Sequence, residues 1–309
     1  MKINIVIPTY NRVDLLRGWF IAHEYLLNTK YVDVYVSDNA STDGTSLFIE
    51  EIQQKASNVH HSRLAQTVKA AYNFEIALNL PPGGVVWMVG DSYHIEPLVF
   101  EKIRESLDPC VDFIVVNFQE RSLQPAKRNI SAIADIAGIT GVLSCISCVI
   151  YNRDRLGKIE FETKSWSYYS HMLYVLNMVV SSQSILRYES DVSVKMLSSV
   201  ENRKNWANTT KVFEIGLENW VVSVGSVDWG SRTALAIASK EFGQISGLFK
   251  LRGLFWLRAQ GLYTLTTYSA YRRYFDVVIP NSDCLLRLIA IMPVTPLRLL
   301  VKLIGKKID

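Results

Sequence analysis

Two stretches decide the fold, residues 3–12 (INIVIPTYNR) and residues 34–45 (VYVSDNASTDGT). Each begins as a short run of Ile and Val and stops abruptly in small polar residues, which is typical of a buried strand ending in a polar loop. Residues 13–27 between them have helical spacing, so the three segments predict a βαβ unit whose strands end at one edge of a sheet. Because open α/β sheets bind ligands in the crevice at that edge, these residues indicate a ligand site.

The rest of the chain continues this alternation of strands and helices. Apolar runs bounded by turn residues predict further strands, and segments with helical spacing predict helices. The expected strands are residues 3–8, 33–37, 59–62, 85–89, 113–118, 144–151, 184–190 and 192–196. The expected helices are residues 13–27, 46–55, 68–80, 97–107, 133–138, 167–180, 212–224 and 231–241, with Asp43 capping the second. This pattern predicts an α/β fold with a mostly parallel sheet flanked by helices.

Composition describes a chain of 309 residues that is 49% hydrophobic, enough for a sizeable core, with a net charge of only +4. The charge is uneven, because residues 245–309 carry ten Lys or Arg against three Asp, which makes this segment +7 and the preceding residues −3. A basic, apolar C-terminal segment on a slightly acidic body indicates an anionic surface as partner.

The cysteines and the N-terminus point to the cytoplasm. Four cysteines make no disulfide framework, and Cys145 and Cys148, despite their CxxC spacing, lack a second Cys/His pair, so we expect reduced core thiols. The first residues run directly into a strand without the basic leader of a signal peptide. No uninterrupted apolar run approaches the roughly 20 residues that span a bilayer.

Polar residues at three strand ends are the candidates for ligand binding. Pro8, Thr9, Tyr10 and Asn11 follow the first strand; Asp38 and Asn39 follow the second; Asp91 follows the strand VVWMV. Tyr10 offers a flat face for a nucleobase, Asp38 an acceptor for a base N–H or a ribose hydroxyl, and Asp91 a carboxylate for a ribose or a metal–diphosphate. The structural alternatives are a boundary aromatic for Tyr10, a turn former for Asp38 and a helix cap for Asp91.

These motifs resemble the inverting family 2 glycosyltransferases of the GT-A fold. The family pattern is a strand ending in PxYN, a second ending in DDGSTD and a third ending in an acidic cluster. Here they read PTYN, DNASTD and GD, and Asn73 in AAYNFEIAL matches a recurrent family Asn. The resemblance covers roughly residues 1–200. It implies a nucleotide-sugar donor, held by residues that match family positions: Pro8, Thr9, Tyr10, Asn11, Asp38, Asn39, Asn73 and Asp91.

The acidic cluster departs from the family pattern. The family usually has two or three acids that bind Mg²⁺ or Mn²⁺, whereas this chain reads Asp91-Ser92-Tyr93-His94. Asp91 alone would suffice for Mg²⁺ if diphosphate oxygens and water completed the shell, and His94 would suit Mn²⁺ better. We therefore expect a divalent metal at Asp91 and His94. The alternative is a metal-free site in which Lys, Arg or the Tyr93 hydroxyl neutralises the leaving diphosphate.

The catalytic base also departs from the pattern. Inversion needs a group that takes the proton of the attacking acceptor hydroxyl. The family usually places an acid at the start of a later helix, but the matching stretch, residues 166–176, has none. His171 occupies that place and is the candidate base, since histidine titrates near neutral pH. The alternative for His171 is a buried or capping histidine, and His23, His60 and His61 are weaker candidates.

The C-terminal segment interleaves Lys and Arg with large apolar residues, as in LFKLRGLFWLRAQGLYTL, CLLRLIAIM and PLRLLVKLIG. This pattern predicts amphipathic helices that lie in a membrane interface without crossing it. The alternative is that they pack on the protein with solvated cations. Nucleic acid is a poorer partner, because the cations alternate with aliphatic residues and no binding module is present.

These observations predict a GT-A catalytic domain over residues 1–240, with a nucleotide-sugar half to about residue 120, and a basic membrane-associating extension over residues 241–309. The expected function is inverting transfer of a sugar, with a UDP-sugar favoured, to a lipid-linked oligosaccharide. The expected setting is the cytoplasmic face of a bacterial membrane, in O-antigen or capsule assembly. Two alternatives stay open: a nucleotidyltransferase, although PTYNR is not its Gly- and basic-rich loop, and a non-catalytic nucleotide-sugar-binding protein.

Overall fold

The structure is a computed structural model that describes residues 2–161, 168–197, 206–279 and 283–303. Contacts divide the chain into two compact units. The first comprises Met1–Ile133 and Val142–Asn202, and the second Ala134–Gly141 and Arg203–Asp309. The boundary predicted after residue 240 falls inside the helix Arg232–Ser246, and the contacts group residues 203–240 with the later helices.

Nine strands in the described residues form the sheet of the first unit. They are β1 (Ile3–Thr9), β2 (Val32–Asp38), β3 (Val59–Arg63), β4 (Val85–Met88), β5 (Tyr93–His94), β6 (Phe113–Phe118), β7 (Lys127–Ile130), β8 (Val149–Asn152) and β9 (Leu186–Met196). Their order is β3-β2-β1-β4-β8-β6-β9-β5, and β7 also pairs with β9. All of β1 is buried, which explains its unbroken Ile and Val run.

The N-terminal half of this sheet is parallel. β1 lies between β2 and β4 and pairs in parallel with both, and β2 pairs in parallel with β3. β8 joins antiparallel to β4 and β6, while β9 runs parallel to β6. The predicted α/β class is confirmed, and β5, β7 and β8 add antiparallel pairs to it.

Helices cover the sheet of the first unit with apolar stripes at helical spacing. In α1, for example, Leu16, Trp19 and Phe20 are buried. The α-helices are α1 (Val13–Ala22), α2 (Thr45–Gln53), α3 (Ala70–Asn79), α4 (Pro97–Ser106), α5 (Ile133–Ile136), α6 (Thr140–Leu143), α7 (Arg153–Leu156) and α8 (Ser170–Ser182). Along the chain, the division between the two units falls within the short α5, after Ile133, and within the short α6, after Gly141.

The second unit is helical in its described residues. Its helices are α9 (Lys211–Phe213), a π-helical segment Glu214–Asn219, α10 (Trp220–Gly225), α11 (Arg232–Ser246), α12 (Leu251–Ala259), α13 (Leu265–Val278), α14 (Asp283–Ile291) and α15 (Val294–Leu303). Aromatic rings fill its core, with Phe213 contacting Phe249, Tyr263 and Phe275. No helix in the described part of the chain is long and apolar enough to cross a membrane.

Several predicted elements differ in extent. The helix expected over residues 13–27 ends at Ala22 and continues as a 3₁₀ turn, Glu24–Leu26. The strand expected over residues 144–151 begins only at Val149, after the 3₁₀ turn Ile146–Cys148. The two strands expected over residues 184–196 are one strand, β9. The start of the helix expected at residue 167 and the last residues of the C-terminal segment, 304–309, lie outside the described residues.

All four cysteines are free thiols, as expected. Of the CxxC pair predicted to be core thiols, Cys148 is buried and Cys145 is half-buried, and the other two cysteines, Cys110 and Cys284, are exposed.

Candidate active site

The candidate site lies where the order of the sheet reverses. The chain passes from β1 through β2 to β3 on one side and then returns to place β4 on the other side of β1. Thr9 at the end of β1 pairs with Asp38 at the end of β2, and Val6 of β1 pairs with Met88 at the end of β4. A reversal of this kind opens a crevice at the carboxyl ends of the strands, where ligands bind in such sheets.

The loop after β1 is fixed to the loop after β2. Asn11 adopts a left-handed backbone (φ 49°), which asparagine tolerates better than most residues. Its backbone N–H donates to the Ser41 hydroxyl at 2.9 Å, and its side-chain oxygen accepts from the Thr42 N–H at 2.7 Å. Asn11 therefore holds the loop together. Tyr10, beside it, is 44% exposed, so its ring is accessible to a base.

Asp38 is fully buried at the end of β2 and is held as a carboxylate. Its Oδ1 accepts from the Ser41 N–H at 2.9 Å and its Oδ2 from the Ser46 hydroxyl at 3.2 Å. Burial alone would raise the pKa of Asp38, but the adjacent His61 ring and these hydrogen bonds lower that pKa to about 2. The charge is therefore present at any physiological pH, and it orders the loop 38–46 from within.

Asn39 and Asn73, two of the three asparagines predicted to bind the donor, have internal partners. Asn39 exchanges hydrogen bonds with the backbone of Val68, accepting at 2.8 Å and donating at 2.9 Å. Asn73 of α3 accepts from the Ser37 hydroxyl at 2.7 Å and donates to the Ser37 carbonyl at 3.2 Å. Both side chains are buried, so in this structure they position the end of β2, and donor contact by either stays a prediction.

Asp91 is the buried acid at the centre of the site. Its Oδ2 accepts a hydrogen bond from the Thr9 hydroxyl at 3.1 Å. Its Oδ1 lies 3.0 Å from Nη1 of Arg12, whose side chain is 41% exposed whereas that of Asp91 is 2% exposed. The end of β1 and the end of β4 are thus joined through one carboxylate, with a guanidinium on its solvent side.

The segment that presents Asp91 is rigidly supported. The Gly90 N–H donates to the Ser147 hydroxyl at 3.0 Å, and the Trp87 indole N–H donates to the Ser147 carbonyl at 2.8 Å. A side chain at Gly90 would place its Cβ 2.9 Å from the Tyr93 ring, so this position requires glycine. The turn that carries Cys145 and Cys148 therefore also braces the acid.

His94, the other predicted metal ligand, packs against a second histidine. Its ring packs against that of His23, with the centroids 5.1 Å apart. Burial lowers the pKa of His94, which leaves the imidazole neutral. Within the residues that the structure describes, no three His, Cys, Asp or Glu side chains gather closely enough to hold a metal ion. The expected pairing of Asp91 with His94 as metal ligands therefore stays a prediction.

His171, the candidate base, is buried at the start of α8. Its Nε2 lies 3.2 Å from the Ser144 carbonyl, an acceptor, so Nε2 carries the proton and Nδ1 the lone pair. Burial lowers the pKa of His171 to about 4. The ring is thus a neutral imidazole with its tautomer fixed, enclosed by protein in this conformation. Residues 166 and 167, which open the predicted base-bearing stretch, lie outside the described residues.

Two functional candidates, Arg12 and Arg63, escaped the sequence reasoning, and His61 appeared there only as a weaker candidate base. Arg12 was visible as the last residue of PTYNR, but its pairing with Asp91 depends on the return of β4 beside β1. Arg63 and His61 lie on β3 and approach the Asp38 carboxylate at 3.5 and 3.8 Å. The sequence could have indicated the residues of β3, because ligand-binding side chains gather at the carboxyl ends of all the neighbouring parallel strands.

Comparison with known proteins agrees with this geometry. The family profile described as "Glycosyl transferase family 2" matches residues 4–169, more than half of the chain. No curated protein sequence matches the chain significantly.

Solved structures share the fold. TarS 1–349 from S. aureus has a TM-score of 0.57 at 15% identity, covering 100% of this chain and 93% of that chain. Its complex with UDP has a TM-score of 0.55 at 16% identity, covering 100% and 93%. The mannosyltransferase PcManGT from Pyrobaculum calidifontis, in complex with GDP-Man and Mn²⁺, has a TM-score of 0.56 at 14% identity, covering 94% and 86%. The predicted GT-A fold is confirmed.

Proposed function

The chain belongs to glycosyl transferase family 2, and from that premise we propose that it inverts the anomeric centre while moving a sugar from a UDP-sugar to a lipid-linked oligosaccharide. The observation that carries the donor half of this proposal is the buried carboxylate of Asp91 at the reversal of the sheet, joined to Thr9 and facing Arg12. Such a crevice takes a nucleotide with its base at one strand end and its phosphates at the next.

Each strand end has a distinct part in donor binding. The exposed ring of Tyr10 supplies a stacking face for the base, next to Pro8 and Thr9 of β1. The loop ordered by Asp38 offers hydrogen-bonding groups to the nucleoside. Asp91, with the Arg12 guanidinium on its solvent side, lies where we place the ribose and the diphosphate. Since solved relatives of this fold bind UDP, UDP-GlcNAc and GDP-Man, the choice of uracil over guanine belongs to the proposal.

Catalysis in this proposal consists of positioning and charge stabilisation. The acceptor oxygen attacks the anomeric carbon on the face opposite the nucleotide, and the bond from that carbon to the diphosphate oxygen breaks. The acceptor proton passes to a base, for which we propose Nδ1 of His171, whose Nε2–H is oriented by the Ser144 carbonyl. Because the pKa of His171 is about 4, the base form is fully available at neutral pH, and the ring must become accessible when the acceptor binds.

The PcManGT complex contains Mn²⁺, which favours a divalent ion such as Mg²⁺ or Mn²⁺ at the donor site. The described residues here do not fit such an ion, because the Asp91 oxygens already face a guanidinium and a hydroxyl, and His94 packs on His23. No step of the proposed reaction therefore passes through a metal.

The acceptor half of the proposal rests on the second unit. Its helices expose apolar side chains, among them Leu251, Leu288 and Leu299, on a segment rich in Lys and Arg. Surfaces of this kind bind anionic membranes, where each cation adds about 1 kcal/mol. Part of the charge is used internally, since Arg258 and Arg298 donate to the carbonyls of Met292 and Ala259. We propose peripheral attachment to the inner face of a bacterial membrane, in O-antigen or capsule assembly.

Thermal shift with UDP-, GDP-, dTDP- and CDP-sugars tests the donor half. A ligand that binds the folded state raises the melting temperature, so UDP-sugars should give the largest shift. Tyr10→Ala should reduce that shift strongly, whereas Tyr72→Ala, a change of another exposed tyrosine of the first unit, should not. Indifference to every nucleotide sugar would contradict the proposal.

Transfer assays and vesicle flotation test the acceptor half. His171→Gln should lower turnover while leaving UDP binding intact, and unchanged turnover would remove His171 as the base. The full chain should float with vesicles containing phosphatidylglycerol but not with purely zwitterionic ones. Equal behaviour with both kinds of vesicle would contradict attachment through charge.

A further inference from the structure

We propose that the guanidinium of Arg12, held in place by Asp91, supplies the positive charge that binds the donor diphosphate, so that donor binding does not require a divalent metal. This inference rests on the proposed function, because it concerns the same crevice. It assigns Arg12 as a residue that contacts the donor and Asp91 as the residue that positions Arg12.

The position of Arg12 follows from the chain path. It is the last residue of the loop after β1 and directly precedes α1, so its backbone lies at the mouth of the crevice between β1 and β4. Its Nη1 reaches Oδ1 of Asp91 at 3.0 Å across that crevice. The carboxylate is itself fixed by the Thr9 hydroxyl at 3.1 Å, so the direction of the guanidinium is set by two strand ends at once.

The guanidinium retains hydrogen-bonding capacity toward the crevice. Arginine carries five N–H donors in a planar fork, and in Arg12 it is Nη1 that lies close to Asp91, at 3.0 Å from Oδ1. Within the described residues, that pairing is the side-chain contact the structure gives for Arg12, and the side chain is 41% exposed. A partly exposed guanidinium in this position can donate its remaining N–H groups to a ligand in the crevice.

Guanidinium chemistry suits a diphosphate. The planar fork binds phosphate oxygens in pairs, and its charge persists at all relevant pH values. During transfer, negative charge grows on the diphosphate oxygen as its bond to the anomeric carbon breaks. A cation already oriented toward that oxygen stabilises the charge without reorganisation. Arg12 thus performs the electrostatic part that metal ions have in related chemistry.

A divalent ion would compete with this arrangement. Mg²⁺ needs several oxygen ligands and Mn²⁺ accepts oxygen or nitrogen. Asp91 is the acid at this point, and an ion bound to its Oδ1 would lie against the guanidinium that occupies that side. Within the described part of the chain no cluster of three ligand side chains exists to outweigh the repulsion.

Titration calorimetry of the full chain with UDP, in EDTA and then in Mn²⁺, is the test. We expect UDP to bind in EDTA with an affinity within about threefold of that in Mn²⁺. Arg12→Gln should weaken UDP binding about tenfold or more in EDTA, as expected for loss of a charge-assisted contact. Arg12→Lys should retain part of the affinity, because the charge remains while the fork is lost.

Uridine separates a direct phosphate contact from a general disturbance. Arg12→Gln should leave uridine binding unchanged, because the nucleoside does not reach the guanidinium. Arg17→Gln is the matched control, since Arg17 lies one turn along α1 over the Phe48 ring and should leave both ligands unaffected. Melting temperatures of all three variants verify folding.

The outcomes distinguish the inference from the function on which it rests. UDP binding that depends on Mn²⁺, or that survives Arg12→Gln in EDTA, would overturn the role of Arg12 and leave the glycosyltransferase proposal intact. Equal weakening of UDP and uridine would overturn it as well. Failure of UDP and GDP to bind with or without Mn²⁺ would contradict the proposed donor site itself.

Discussion

Two buried carboxyl groups, one in each unit, respond to burial in opposite ways. In the first unit, donors from Ser41 and Ser46 and the adjacent His61 overcome burial and lower the pKa of Asp38 to about 2. In the second unit, burial raises the pKa of Glu241 of α11 to about 7, and nearby Lys250 offsets this only in part. The surroundings of Asp38 therefore stabilise a buried charge, whereas the surroundings of Glu241 disfavour one.

This difference indicates how the work of the enzyme is divided. Loops at the carboxyl ends of β1, β2 and β4 present backbone N–H groups and hydroxyls, which suit a charged nucleotide. The second unit packs aromatic rings in its core and exposes apolar side chains on a segment rich in Lys and Arg. We therefore place donor recognition entirely in the first unit, and changes in the two units should have separable effects.

The largest difference in sugar transfer between changes in the two units should be that between Asp91→Asn and Glu241→Gln. Asp91→Asn removes the charge that positions Arg12, so we expect a fall in sugar transfer of about 100-fold or more. Glu241→Gln should leave transfer nearly unchanged. Initial rates with saturating acceptor measure both.

Asp14→Asn, a change of an exposed acid in the first turn of α1, is the control on the first unit. Near-normal transfer by Asp91→Asn, in a protein with an unchanged melting temperature, would contradict the expected difference between the two units.

Ionisation of Glu241 should destabilise the folded protein as the pH rises toward neutrality. The unfolded chain ionises this group near pH 4.5 and the folded chain near pH 7, so stability present at low pH is lost as the pH rises from about 4.5 to 7. We expect a loss of roughly 2 kcal/mol in the free energy of unfolding, measured by urea titrations at pH 5 and pH 8. Glu241→Gln should remove this loss, and an identical pH dependence in the variant would refute the assignment.

Protonation of Asp38 should destabilise the folded protein as the pH falls, an effect that is opposite in sign to that of Glu241 and smaller. Its folded pKa of about 2 lies below its ordinary value of 3.8, so its contribution is complete above pH 4 and disappears as the pH falls toward 2. We expect this contribution to be about 1 kcal/mol once solvent screening is considered. Asp38→Asn should flatten the melting temperature between pH 4 and pH 2.5, and an unaltered slope would show that other acids carry the effect.

Local sequence patterns predict elements of both units. The Ile and Val runs before Tyr10, Asp38 and Asp91 identify three adjacent strand ends, because burial of parallel strands and the polarity of their loops are local properties. The helices of the second unit follow from periodicity in the same way.

Long-range contacts account for the remainder. β5 has two residues and β7 has four, too few for a periodic signal, and both form by pairing with β9. The pairing of Arg12 with Asp91 and the burial of His171 depend on which elements meet in space. The internal hydrogen bonds of Asn39 and Asn73 likewise cannot be predicted from a motif, because the same side-chain amide can bind a ligand or hold a loop in place.

Hydrogen–deuterium exchange of the full chain with and without UDP tests the central claim most directly. Donor recognition at the strand ends of the first unit predicts slower exchange in peptides that cover residues 8–14, 38–46 and 88–95, and unchanged exchange across α11 to α13. Protection confined to the helical unit, or no protection at the three strand ends under conditions in which UDP saturates the protein, would contradict it.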